Sequence, residues 1–539
     1  MPRHALKRAR LVLALLFLIG LTLAFADFRS FVPASASHAL ASVQLVPALV
    51  GLSAGSLTAL VIAAALALLT LLVGRVYCSV LCPLGILQDV IARLGGWLRR
   101  KKQFLPFAPP QSILRHAVLW GTVTAIIVGW SGIALALLDP YSNFGRIIST
   151  LVRPLLTAAN NAVVGLANTL GFQGLYRVAL PWAGLGVLLP VALFLTVVAI
   201  LSVRRGRLYC NTLCPVGTAL GLLSRFAIFR IGIDQTACTK CGDCLRSCKA
   251  QCINLRTGTI DASRCVACYN CIGACEDRGI GYRFTWKKKP AHANDRTGST
   301  EPKTNLTAGD SPRRAFLASL VSGVAATSVA LNHARAAVSS GDEATPALVR
   351  SGEASRALCP PGSGSVAQFL DRCTACHLCI SACPTHVLQP AFLEYGVQGL
   401  LKPHLDYRSA YCLFECTRCG EVCPYHAIDL LDLATKSVTQ IGVADFHQSR
   451  CIVELNGTDC AACSEHCPTK AVSTKPFRDN LRLPVLDQSL CIGCGACEYA
   501  CPVKPVKAIL VTGRSRHARA EKLVEKKAVA PTATGDFPF

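Results

Sequence analysis

At 539 residues the chain exceeds one ordinary domain, and 52% hydrophobic content beside 16% charged residues excludes a wholly water-exposed fold. Thirty cysteines divide into six sets of four, two C-x3-C pairs and the single Cys252 and Cys359, an arithmetic that disulfide scaffolds do not show. The net charge of +24 needs no nucleic-acid partner, because much of it flanks apolar segments, where Lys and Arg mark cytoplasmic ends.

Arg3, Lys7, Arg8 and Arg10 precede an apolar run from Leu11 to about Ala26. It reads as a spanning helix rather than a signal peptide: the best cleavage site, Ala34-Ser35-Ala36, is weak, and a second span follows from about Leu49 to Gly74. Spans three and four run from about Ile113 to Leu138 and from about Ala179 to Val203. Arg99, Arg100, Lys101 and Lys102, and later Arg204, Arg205 and Arg207, put the intervening ends in the cytoplasm. The stretch Pro140 to Arg177 is then periplasmic, with Ile147 to Leu170 apolar enough for a helix in the interface or dipping into the bundle.

Gly74-Arg75-Val76-Tyr77-Cys78-Ser79-Val80-Leu81-Cys82-Pro83-Leu84-Gly85 returns at a constant offset of 132 as Gly206-Arg207-Leu208-Tyr209-Cys210-Asn211-Thr212-Leu213-Cys214-Pro215-Val216-Gly217. Duplication of a two-helix unit leaves such a pattern. Cys78, Cys82, Cys210 and Cys214 are thus candidates for one four-thiolate site, for Cu(I), or for dithiol cycling, and the spacing does not choose among these.

Cys238, Cys241, Cys244 and Cys248, then Cys265, Cys268, Cys271 and Cys275, have the rhythm of a two-cluster ferredoxin. The fourth cysteine of such a run ligates the other cluster, so Cys275 should join the first three and Cys248 the second three. Lys249 and Glu276 stand where proline is usual, and Cys252 reads as a spare buried thiol. Residues 286–310 have the composition of a flexible linker. Arg313-Arg314-Ala315-Phe316-Leu317, the mildly apolar Ala318 to Leu331 and Ala334-Arg335-Ala336 then have the layout of a twin-arginine signal, unusual in mid-chain, or of a fifth span.

Four further sets each close with Cys-Pro: Cys373, Cys376, Cys379 and Cys383; Cys412, Cys416, Cys419 and Cys423; Cys451, Cys460, Cys463 and Cys467; Cys491, Cys494, Cys497 and Cys501. Zinc ribbons lack the third and fourth cysteines in this rhythm, so all six sets point to 4Fe-4S clusters. In the last four sets the pairing is sequential or nested, with sequential preferred. Cys373-Thr374-Ala375-Cys376-His377 also matches a haem attachment motif, but both cysteines belong to the longer run. The eight residues between Cys451 and Cys460 form an excursion suited to docking, and the basic tail after Val511 reads as solvated.

These residues define an α-helical membrane bundle, four spans in two repeated hairpins, followed by α+β ferredoxin-like domains. The expected segments are 1–107 and 108–230, each a hairpin with C-x3-C-P; 231–285, the two-cluster domain; 286–310, the linker; 311–337, the signal or fifth span; 338–510, the four-cluster domain; and 511–539, the tail. Residues 1 to about 285 resemble NapH/MauN-type membrane proteins. Residues 311 to about 510, with Cys359-Pro360-Pro361-Gly362 ahead of the first set, resemble NapG/MauM-type proteins.

The resemblance implies a quinol dehydrogenase module, fused into one chain in a bacterial inner membrane. It would pass electrons from the quinone pool to a periplasmic reductase, of nitrate reductase type, or to its cytochrome c subunit. On this reading the two-cluster domain is cytoplasmic, and the twin-arginine translocase exports the four-cluster domain to the periplasm, with cleavage after Ala336 left open. His38, Asp139 and Tyr141 near the outer face, or His116, Tyr77 and Tyr209 near the inner face, are candidate proton-handling groups, each also readable as structural. The alternative is an assembly factor that reductively matures a periplasmic enzyme, such as methylamine dehydrogenase or nitrous oxide reductase. No terminal catalytic site is legible in the sequence.

Overall fold

A computed structural model describes residues 5–53, 55–98, 107–172, 174–180, 184–284 and 357–522. The expected linker, the twin-arginine segment and Arg99 to Lys102 lie outside the described residues. Two compact units are present. The described residues of the first come from Met1–Leu23, Ala39–Ile147 and Leu189–Arg350, and those of the second from Ala24–His38, Ile148–Leu188 and Ser351–Phe539.

The amino-terminal region is helical. Helix α1 (Ala5–Ala26) is followed by α2 (Ala34–Ser42), α3 (Leu45–Ser53), α4 (Leu57–Val73), α5 (Tyr77–Val80), α6 (Pro83–Leu98), α7 (Ser112–Ile127) and α8 (Ser131–Leu138). Then come α9 (Pro140–Ile147), a π-turn (Ile148–Val152), α10 (Arg153–Thr169), α11 (Leu185–Arg205), α12 (Leu208–Thr212) and α13 (Pro215–Ser224). Among the described residues three helices are long and apolar enough to cross a membrane: Ala5–Ala26, Pro140–Thr169 and Leu185–Arg205. The pair α2 and α3, bent by 91°, makes a fourth if it counts as one span.

Two expected spans take a different path. The run Leu49 to Gly74 is divided at Gly55, whose φ of +76° is left-handed, and α3 packs along α4 instead of continuing into it. The Ser56 hydroxyl then accepts from the Ala59 N–H and starts α4 afresh. Likewise the run Ile113 to Leu138 breaks into α7 and α8 around Gly129, at φ +88°. Conversely, most of the stretch Ile147 to Leu170, left open between interface and bundle, falls within the 30-residue helix Pro140–Thr169, which is long and apolar enough to cross a membrane.

The cysteine-rich parts are built from short antiparallel hairpins and helices of about one turn. In the first unit β1 (Phe229–Ile233) pairs with β4 (Ile280–Phe284), Ile231 opposite Tyr282, and β2 (Ile253–Asn254) pairs with β3 (Thr259–Ile260). In the second unit β5 (Leu388–Pro390) pairs with β6 (Pro403–Leu405), β7 (Thr439–Phe446) with β10 (Ile509–Arg519), and β8 (Val472–Pro476) with β9 (Arg482–Leu486). Strand β10 runs across the expected boundary at 510. Arg519, read from sequence as part of a solvated tail, is the partner of Thr439.

Candidate metal centres

The regularly spaced cysteine sets share one backbone device. The residues before and after the second cysteine adopt positive φ: Lys240 and Gly242 around Cys241, Ala267 and Tyr269 around Cys268, Ala375 and His377 around Cys376, and Gly493 and Gly495 around Cys494. Alternating left-handed and right-handed residues turn successive N–H groups to one side, a nest that favours anionic sulfur. His377 is held in this loop by its ring, Nε2 to the Leu401 carbonyl at 2.8 Å and Nδ1 to the Ser149 hydroxyl at 3.0 Å.

Around these loops the cysteines gather in quartets with crossed membership. Cys238, Cys241 and Cys244 line one cavity with Cys275, and Cys265, Cys268 and Cys271 line another with Cys248. In the second unit Cys373, Cys376 and Cys379 are joined by Cys423, while Cys412, Cys416 and Cys419 are joined by Cys383. Cys451, Cys460 and Cys463 share a cavity with Cys501, and Cys467 lies within electrostatic reach of Cys491, Cys494 and Cys497. The last four sets therefore pair sequentially, first with second and third with fourth.

The donor chemistry fits a polynuclear iron-sulfur core. Among the described residues no three His, Cys, Asp or Glu side chains converge as a single ion would require, and the quartets instead surround cavities. Burial pushes the thiols of Cys412 and Cys463 up to about 12, so thiolate ligands there need a cationic core. Cys252, expected as a spare thiol, lines the Cys248 cavity, its sulfur 3.6 Å from that of Cys248.

The repeated C-x3-C-P motifs meet in the first unit. Cys78, Cys82, Cys210 and Cys214 are each only 3% exposed, and Cys82 lies within electrostatic reach of the other three. Burial raises Cys210 to about 11 despite the neighbouring guanidiniums of Arg207 and Arg75. The repeats exchange their arginines: Arg75 Nη2 donates to the Cys210 carbonyl at 3.5 Å, and Arg207 Nη1 to the Cys78 carbonyl at 2.5 Å. Tyr77 lies within reach of Cys82, Tyr209 within reach of Cys214, and Asp139 within reach of both tyrosines.

The expected proton-handling groups therefore separate. Tyr77 and Tyr209 lie within electrostatic reach of the thiols and Asp139 within reach of both tyrosines, although Asp139 reads from sequence as an outer-face residue. Tyr77 donates to Gln44 Oε1 at 3.0 Å, and Asp139 accepts from the Tyr141 and Ser142 N–H groups. His116 donates to the Ser112 carbonyl one turn earlier in its own helix, and His38 belongs to the other unit.

Sequence reasoning missed Asp89, which binds Arg207 at 2.8 Å, Lys249 at 3.1 Å and Arg10 at 3.5 Å. The signal was a break in the repeat, since the offset of 132 carries Asp89 to Gly221. It missed Arg153 as well, whose guanidinium reaches the carbonyls of Ile380 and Ser381 and His386 Nδ1 within the second unit.

Hairpins of this kind, crossed cysteine quartets and an apolar helical region define a ferredoxin-type iron-sulfur protein. A family described as a 4Fe-4S binding domain matches residues 56–104 and 187–233, a 4Fe-4S dicluster domain matches 457–506, and another 4Fe-4S binding domain matches 368–389. The ferredoxin-type protein NapF of Escherichia coli (strain K12) is 30% identical over 156 residues, 29% of this chain and 87% of the relative. The methylamine utilization ferredoxin-type protein MauM of Paracoccus denitrificans (strain Pd 1222) is 32% identical over 164 residues, 29% of this chain and 72% of the relative. Ferredoxin-type protein NapG of Escherichia coli (strain K12) is 29% identical over 151 residues, 26% and 64% of the two chains. The chain belongs to this family of ferredoxin-type 4Fe-4S proteins. No solved structure matches it.

Proposed function

We propose that the chain is a fused quinol dehydrogenase module that takes electrons from membrane quinol and delivers them to a periplasmic reductase, of nitrate reductase type, or to its cytochrome c subunit. The observation that carries this reading is the coexistence, in one chain, of apolar helices long enough to span and of crossed cysteine quartets in both units. A 4Fe-4S cluster, when bound, takes up and releases one electron. Six are proposed, one per quartet. The protein's part is to hold each by three thiols from one loop and one from its partner loop, in the four regularly spaced sets under nests of backbone N–H groups.

The proposed topology has the two-cluster domain in the cytoplasm and the four-cluster domain in the periplasm. Its support lies inside each unit. Tyr282 donates to the Val73 carbonyl at 3.0 Å and Arg264 to the Ala108 carbonyl at 2.7 Å, at helix ends that flanking charge assigns to the cytoplasm. Ser381 donates to the Phe25 carbonyl at 2.8 Å, at the opposite end of α1 from the basic amino terminus. Quinol would then reach the chain from the bilayer, and the twin-arginine translocase would export the later domain.

Membrane vesicles containing the protein should oxidise an added reduced naphthoquinone anaerobically when an impermeant acceptor is present on the periplasmic side. Vesicles from a strain lacking the chain should not. Equal rates in the two would overturn the reading.

A further inference from the structure

We infer that the loop between β5 and β6, Ala391 to Lys402, is an interfacial anchor that seats the four-cluster domain in the surface of the lipid bilayer. The inference rests on the membrane part of the proposed function and is independent of whether quinol is the donor.

The composition of the loop is the first observation. Phe392, Leu393 and Val397 are 45%, 54% and 73% exposed, three large apolar side chains within six residues. A surface turned to water scatters such residues singly, and a cluster of them marks a face that something apolar covers. From Val387 to Leu401 the sequence holds one charged residue, Glu394, and no lysine or arginine. Its carboxylate is turned back on the loop: Oε2 accepts from the Phe392 N–H at 2.6 Å and from the Leu393 N–H at 3.0 Å, and Oε1 lies 3.9 Å from His404 Nε2. The charge is met within the domain while the three apolar side chains face outward.

The neighbour of the loop identifies what covers it. A methyl group placed on Gly186 would meet the Phe392 ring at 2.5 Å, so the ring lies directly on the backbone of the first turn of α11, a helix long and apolar enough to cross a membrane. Leu185 is exposed beside it, and Leu189 and Leu193 continue an open leucine stripe along the same helix. On a spanning helix such a stripe is the face that lipid covers. Phe392 therefore extends a lipid-facing surface onto the domain at the end of the span, where aromatic and aliphatic side chains settle at the boundary of headgroup and acyl chain. The anchor is firmly rooted. The Ala391 N–H donates to the Lys402 carbonyl and the Leu401 N–H to the Ala391 carbonyl, both at 2.7 Å, and the Tyr395 hydroxyl donates to the Leu358 carbonyl at 2.8 Å. The Leu401 carbonyl in turn holds His377, so seating this loop keeps the Cys376 loop beside the membrane.

The test places a photoreactive phenylalanine analogue in the full chain, one site at a time, in place of Leu393, Val397, Leu193 or Leu455, and irradiates membrane vesicles. Leu193 reports the open face of the span, and Leu455, exposed between Glu454 and Asn456, reports an apolar residue in polar surroundings. Mass spectrometry should find phospholipid adducts at Leu393 and Val397 as at Leu193, at least about tenfold above the yield at Leu455. Adducts at Leu193 with none above the Leu455 level in the loop would overturn the inference and leave the membrane reading standing. A protein captured at the loop in place of lipid, a second copy of this chain included, would overturn it too. No lipid at Leu193 would overturn both readings. Should a labelled chain not accumulate, hydroxyl-radical footprinting of the unaltered chain in lipid nanodiscs decides. Leu393 and Val397 should be protected to the level of Leu193, and labelling at the level of Leu455 would contradict the anchor.

Discussion

Arg207 grips Asp89 through two parallel bonds, Nε to Oδ1 at 2.9 Å and Nη2 to Oδ2 at 2.8 Å, with both side chains withdrawn from solvent. The pair ties the second repeat to α6 of the first, and Lys249, which replaces the usual proline after Cys248, brings the ferredoxin loop to the same carboxylate. Burial alone would raise the Asp89 carboxyl, but Arg207, Lys249 and Arg10 hold it well below the usual carboxylate range. Its stabilisation is therefore present above the unfolded value of about 4 and is lost as pH falls through the depressed folded value. Asp89→Asn leaves buried cations unpaired and should cost about 3–5 kcal/mol. Thermal unfolding in detergent across acidic pH should show the loss at neutral pH and its disappearance under strong acid.

Crossed membership makes a specific forecast for single ligands. Cys423→Ser should disturb the centre of Cys373, Cys376 and Cys379, although Cys423 is the last cysteine of the next set. Cys383→Ser should disturb that of Cys412, Cys416 and Cys419. Iron analysis should show a loss of up to about 4 atoms in each variant, with different EPR signals affected. The same signal lost in both would contradict the pairing.

How much of this the sequence disclosed depends on whether spacing or path carried the information. The quartets were legible because a cubane forces short, repeated intervals, and in the two-cluster domain the partner of each fourth cysteine follows from the same rule, whereas in the last four sets spacing left sequential and nested pairing open. The spans were less legible: hydropathy averages over Gly55 and Gly129, whose left-handed φ redirects the chain without changing its composition. Ser149 meets His377 across 228 positions, and no local pattern announces such a contact. Asp89 was hidden for another reason, because its role appears only when the two repeats are laid on each other and one is found to lack it.

Cys252 should tune its neighbour rather than bind in its place. Its thiol lies against Cys248 Sγ at 3.6 Å, and a hydrogen bond to a ligand sulfur favours the more negative, reduced state. Cys252→Ala should keep the iron content while lowering the midpoint potential of that centre. A bond worth about 1 kcal/mol corresponds to roughly 40 mV for one electron. A redox titration followed by EPR reads the shift, and an unchanged potential would leave Cys252 as packing.

The proposed topology turns on Arg313 and Arg314, outside the described residues. A reporter fused after Phe539 should be active in the periplasm and lose that activity with Arg313→Lys plus Arg314→Lys. Cytoplasmic activity with the native arginines would contradict export.

The central claim, that quinol charges this chain with electrons, is tested most directly by mixing the purified, oxidised protein anaerobically with a reduced quinone and freezing it for EPR. The account predicts the signals of reduced iron-sulfur centres in wild-type protein, with as much quinone formed as half the electrons counted. Centres that dithionite reduces but that no quinol reduces, over a range of quinol potentials, would contradict it.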